Sequence, residues 1–204
     1  MTYIMAVAIV LIGLLVAFSI KRKDKAKRND PVSMQISEDT ARPKETRLDQ
    51  NPYEGLKKLA YSIHYNQLNL PNVGDKEVLY GALMDWDYEG KAIITLVSFK
   101  TGDVSLYFST GTGIIGAGQH DNVKQAGQEF IKKAETFIPS ADKVDTALTS
   151  EKGIVKLYLL TTKGKYTIKD KMENIYNHTS KLSYMFEEAN KIITLIRMTE
   201  EKMK

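Results

Sequence analysis

Four glycines, Gly111, Gly113, Gly116 and Gly118, fall within eight positions of the run TGTGIIGAGQ at 110–119. Gly111-Thr112-Gly113-Ile114-Ile115-Gly116 fits G-x-G-x-x-G letter for letter. Backbone N–H groups left open by glycine, followed by a helix N-terminus, are a setting that suits a phosphate. The hydroxyls of Ser109, Thr110 and Thr112 would add donors, and His120-Asp121 places a titratable pair beside the loop. The candidate ligand site is therefore Thr110, Gly111, Thr112, Gly113, Gly116, Gly118, His120 and Asp121.

The surroundings weigh against a dinucleotide. A Rossmann glycine motif opens the first βαβ unit of a parallel sheet, with an acid about 20 residues further on. Here the motif follows the third of three strands whose short connections require antiparallel pairing. No Gly-Lys-Ser/Thr is present, so the Walker pattern fails as well. Glycine also serves where φ is positive or where two backbones touch, and the two isoleucines point the loop inward. Packing is the first expectation, a contact with a protein partner the second, and an anion or nucleotide the third. For His120 and Asp121 the plain expectation is capping of the next helix, with the acid favoured by the helix dipole.

Little else in the chain could do chemistry. Asp85 and Asp87 flank Trp86 in a strand, so both acids share one face and Trp86 takes the other. They could hold a cation, but a solvated strand end is the expectation, with Trp86 in the core or at a contact. There is no cysteine, which excludes thiol nucleophiles, disulfides and cysteine-bound zinc. The three histidines, His64, His120 and His178, show no metal-ligand spacing. No catalytic constellation is complete, and no cofactor or metal is expected. Asn177-His178-Thr179 matches a glycosylation acceptor, which matters only in a secretory lumen.

The elements that would position these residues begin at Asn51-Pro52-Tyr53-Glu54, a helix start with a capping Asn and Pro at the first helical position. Leu56, Leu59, Ala60 and Ile63 should form its buried face, with His64 beside it. Strands are expected at 78–86, 91–99 and 104–109, separated by turns at 88–90 and 100–103. The glycine loop leads into a helix through about Ile138, with Val123, Phe130, Ile131 and Ala134 on its buried stripe. Two more strands follow at 154–161 and 165–168, then a short helical turn within 169–179. The last helix starts at Ser180 and ends near Lys202.

The expected fold is α+β, of order α-βββ-α-ββ-α, with a largely antiparallel five-stranded sheet. That order resembles the fold of type III secretion chaperones and, less closely, profilin-type or roadblock domains. The segment from Leu106-Tyr107-Phe108-Ser109-Thr110-Gly111 through Gly118 also resembles a segment of small uncharacterised bacterial proteins, a resemblance that implies no activity.

Ahead of this domain, at 51–204, lie two segments of different character. The first, at 1–20, contains an uncharged run of 18 residues from Tyr3 to Ile20, eleven of them Leu, Ile, Val or Phe. As a helix it spans about 27 Å, close to the roughly 30 Å hydrocarbon core of a bilayer. It lacks the positive start and small-residue cleavage site of a signal peptide. Lys21, Arg22, Lys23, Lys25, Lys27 and Arg28 follow at once, with Asp24 the one acid among them. Basic flanks stay in the cytoplasm, so a single-pass anchor in the inner membrane is expected, its N-terminus outside and its domain inside. The same six side chains should touch anionic lipid headgroups.

The second segment, at 21–50, continues from this basic cluster into a polar, Pro-containing linker at 29–50. The cluster's net +5 accounts for the whole-chain +4, so the remainder is close to neutral. This argues against nucleic acid as a partner. The expected function is a membrane-tethered interaction module of adaptor or scaffold type, without catalysis, bound to a protein partner or to itself. The alternative is a sensor or enzyme that takes a phosphate or nucleotide at 110–121.

Overall fold

The computed structural model describes residues 51–146 and 150–202. The expected anchor at 3–20, the basic cluster and the linker lie outside the described residues. Among the described residues, no helix is long and apolar enough to cross a membrane.

In chain order the elements are α1 (Pro52–Ser62), a 3-10 turn (Tyr65–Leu68), β1 (Leu79–Tyr88), β2 (Ala92–Phe99), β3 (Val104–Phe108) and β4 (Gly113–Ile114). Then come a 3-10 turn (Ala117–Gln119), α2 (Asp121–Ala134), a 3-10 turn (Glu135–Ser140), β5 (Asp142–Lys143), β6 (Ile154–Thr161), β7 (Gly164–Lys171), α3 (Met172–Tyr176) and α4 (Leu182–Lys202). The fold is α+β with an antiparallel sheet ordered β4-β3-β2-β1-β6-β7-β5.

The sheet has seven strands where five were expected. The two additions, β4 and β5, are two residues each and form the two edges. So short a strand has no period to read, and it exists because a longer neighbour offers it a ladder. The five longer strands keep the expected order. β7 runs past the expected end at Ile168 because Lys169, Asp170 and Lys171 pair with Lys156, Val155 and Ile154. α2 stops at Ala134, and the chain tightens into a 3-10 turn that contains Pro139. Proline lacks the amide an α-helix needs and its ring clashes with the carbonyl four residues back.

The two faces of the sheet are covered differently. On one, Met84, Trp86, Leu96, Leu106 and Leu157 meet Val123 and Phe130 of α2 and Met185, Phe186 and Ile192 of α4. Trp86 and Phe186 pack edge to face with ring centroids 5.6 Å apart. Trp86 is core, as one of its two expected places required. A Cβ on Gly127 would lie 2.4 Å from Val104 Cγ2, so the missing side chain lets α2 approach the sheet. On the other face, Tyr53, Ala60 and Tyr61 of α1 pack on Tyr80, Leu83, Val97, Tyr107 and Tyr158.

Candidate functional site

Asn51 caps α1 by accepting a hydrogen bond from the Tyr53 amide at 3.0 Å, and Pro52 opens the helix. From there the buried residues are Tyr53, Lys57, Ala60 and Tyr61. This corrects the expected face: Leu56 and Ile63 are only half-buried, and Leu59 is 63% exposed. α1 turns a lysine inward because the strand beneath it offers a carboxylate.

That carboxylate is Asp85, which is 1% exposed, with Asp87 at 7%. The expectation of a solvated strand end is therefore overturned. Strand alternation sends both acids to the face opposite Trp86, as expected, and that face is roofed by α1. Lys57 Nζ donates to Asp85 Oδ2 and, at 2.9 Å, to Ser150 Oγ. Ser150 donates in turn to Asp85 Oδ2 at 3.0 Å, and Thr95 donates to Asp85 Oδ1 at 2.8 Å. The Tyr53 hydroxyl meets Thr95 Oγ1 at 2.8 Å.

Register extends the row: Thr95 and Lys156 lie opposite Asp85, and Lys169 lies opposite Lys156. Lys156 is 1% exposed and pairs with Glu151 at 2.6 Å. Asp87 accepts the amides of Gly90 at 2.8 Å and Gly153 at 3.0 Å, which fixes the β1–β2 turn against the start of β6.

This cluster holds charge in place. The cation beside Asp85 is the Lys57 ammonium, which stands where a metal ion would have to bind. Its nitrogen donates to Ser150 while that hydroxyl donates to Asp85, so the serine is tied into the ion pair on both sides. Burial, and then the Asp85 carboxylate, pushes the Tyr53 phenol up to about 12. The same two causes raise Tyr158 as well. The sequence does carry a signal for this pairing. An acid in the interior of an apolar strand needs a partner, and Tyr53, Lys57, Ala60 and Tyr61 form a helical stripe.

The glycine loop is spread out. Gly111, at φ 91°, closes a turn by donating to the Phe108 carbonyl at 2.9 Å. It sits against the α1 cap, where Asn51 Nδ2 also donates to the Ser109 carbonyl. Thr110 and Thr112 bring their hydroxyls to 3.4 Å of each other at this end. Gly113 lies in β4, where a Cβ would come 2.9 Å from the Leu106 carbonyl. Gly116 has φ 75° and open space beside it. At Gly118 a Cβ would collide with the Gly102 carbonyl at 2.1 Å.

The loop thus runs back along β3, about 14 Å at the usual strand rise, rather than curling around one point. Thr110, Gly111 and Thr112 gather near α1. Gly118, His120 and Asp121 gather near the β2–β3 turn and the start of α2. Of the two isoleucines, Ile114 packs inward as expected, whereas Ile115 is 67% exposed. His120 holds the cap position of α2 without a side-chain cap bond, and Asp121 is exposed in its first turn. Lys21, Arg22, Lys23, Lys25, Lys27 and Arg28 lie outside the described residues.

A shallow cleft of about 650 Å³ lies elsewhere, at the β6 start and β7 end, lined by Lys152, Lys171, Glu173, Tyr176 and their neighbours. It includes none of the expected site residues. No protein-family model matches the chain, and neither a curated protein nor a solved structure matches it.

Proposed function

We propose that the protein is a membrane-tethered interaction module without catalysis, its domain held at the cytoplasmic face of the inner membrane by residues 3–20. One observation carries this reading. The buried charge beneath α1 is spent on seating α1, the helix that directly continues the linker from the anchor. Lys57, Asp85, Thr95 and Ser150 bind one another, which suits a device that positions a domain at the end of a tether.

The test is cross-linking of the full chain in intact cells, followed by membrane fractionation, beside a chain lacking 3–20. The full chain should sediment with membranes, dissolve only in detergent, and form a discrete larger species. The shortened chain should lose both properties. A full chain found in the soluble fraction overturns the proposal.

The second reading, a phosphate or nucleotide ligand at 110–121, is favoured by one feature. His120 gives α2 no side-chain cap, so its first amides lack that acceptor. Asp121 in the same turn opposes an anion. Titration of the full chain in micelles with inorganic phosphate and nucleotides, followed by NMR, should shift only 110–121 if this reading holds. Unmoved resonances at millimolar ligand would end it.

A further inference from the structure

We infer that α1 is a releasable strap. It leaves the sheet as one unit while the seven strands, α2 and α4 stay folded, and its departure uncovers Asp85, Thr95, Tyr107 and Tyr158.

The two sides of the sheet differ in what opening them would cost. Beneath α2 and α4 the contact is hydrocarbon, with Phe130, Leu157 and Met185 at 0% exposure. Separating them exposes apolar surface to water, with little regained beyond exchange of the Ser98 hydrogen bond to the Gly127 carbonyl. Beneath α1 the apolar contact is smaller and tyrosine-rich, and set within it are an ammonium, a carboxylate and three hydroxyls bound to one another. Water replaces those bonds when the helix lifts. A buried ion pair is often no more stable than an apolar pair of similar size, because both charges were desolvated to make it.

Two further hydroxyls on this face, Tyr61 Oη and Thr167 Oγ1, are buried with no hydrogen-bond partner among the described residues. Each is a standing cost, and opening relieves that of Tyr61, which α1 itself carries. α1 also adds no backbone ladder to the sheet. Besides the packing of Tyr53, Ala60 and Tyr61, its attachments are side-chain bonds, including Asn51 to the Ser109 carbonyl, Lys165 to the Tyr61 carbonyl and Tyr80 to the Ile63 carbonyl.

The connections permit the motion. The segment 63–78 between α1 and β1 contains one four-residue 3-10 turn, and left-handed backbone at Asn69 and Gly74. An 11-residue helix is marginal by itself, so a detached α1 has little structure to preserve. Local openings of this kind are drawn from the less stable parts of a fold. Release rests on this geometry alone. Its consequence, that a pull from the anchor reaches α1 before the sheet, rests on the proposed function.

The experiment is native-state hydrogen exchange on the full chain in detergent micelles, at rising urea below the unfolding transition. The amides of residues 56–62 should share one opening, populated at least tenfold more than the opening that exposes β6 and α4. Lys57→Met leaves Asp85 without its cation and should raise the α1 opening at least tenfold more, with β6 and α4 unchanged. Lys57→Met with Asp85→Leu gives the seat apolar partners and should lower the opening at least tenfold. Wild-type α1 amides that exchange only with β6 and α4 overturn the proposal. So does a folded double variant with unchanged α1 exchange. Protection of β6 and α4 reports folding in every sample, and the wild-type result decides alone if a variant does not fold.

Discussion

By sequence alone Gly116 and Gly118 are equivalent members of one glycine-rich run, yet their surroundings separate them. Gly118 touches the backbone of the β2–β3 turn, and Gly116 needs only its left-handed φ. A methyl at Gly116 should therefore cost about 1–2 kcal/mol of backbone strain. A methyl at Gly118 must push the Gly102 carbonyl away, an overpacking cost of about 1–3 kcal/mol or more. Urea unfolding of Gly116→Ala and Gly118→Ala should rank them in that order. The reverse order would show that the loop does not pack on the turn as described. Which glycine touches a distant turn is a property of tertiary contact, and spacing alone cannot encode it. The buried tyrosines carry a second expectation. Tyr53 and Tyr61 are pushed up to about 12, by burial first and then by Asp85 and Asp145 respectively. In the unfolded chain each phenol ionises near pH 10, so the folded state keeps protons that the unfolded state releases. Their stabilisation is whole below about pH 10 and falls as pH rises toward 12, by about 1.4 kcal/mol per pH unit for each phenol. Tyrosinate absorbance should appear together with unfolding. Ionisation of these tyrosines in a still-folded protein would contradict the burial of the α1 face.

At the scale of elements, alternation and helical stripes were enough to place the five longer strands, α2 and α4, because each buries a regular apolar face. α1 was the exception. Its apolar residues suggested a face through Leu59, whereas the helix sits rotated so that Lys57 reaches Asp85. Hydrophobic patterning assumes that burial is apolar, and it fails where an ion pair sets the rotation. The contrast is measurable. Phe130 on α2 is fully buried in the larger core, and Phe130→Ala should destabilise by about 3–5 kcal/mol through lost transfer energy and a cavity. Leu59 belongs to the apolar pattern equally well but faces outward, so Leu59→Ser should change stability by no more than about 0.5 kcal/mol. Chemical denaturation of the two variants distinguishes the observed rotation from the one that patterning suggested. A large cost at Leu59 would restore the latter.

At the scale of the whole molecule, fold class followed from the succession of elements, while the proposed tether rests on composition alone. Asn51 is the first described residue, and it is tied to both α1 and the glycine loop. Under the proposed function the linker would join the domain at Asn51, and the orientation of the anchor would decide which compartment the domain occupies. That orientation is a contest between flanks. Six basic side chains follow the apolar run within 21–28. Lysine and arginine near a span are held on the cytoplasmic side, and acids count for little in this balance. Replacing Lys21, Arg22, Lys23, Lys25, Lys27 and Arg28 with glutamine, and adding four lysines after Met1, should invert the anchor without altering its apolar run. An alkaline phosphatase fused after Lys204 should be inactive on the native chain and active on the inverted one. Activity on the native chain would place the domain outside the cytoplasm. Inactivity on both, with both found in membranes, would show that orientation is set by something other than the flanking charge.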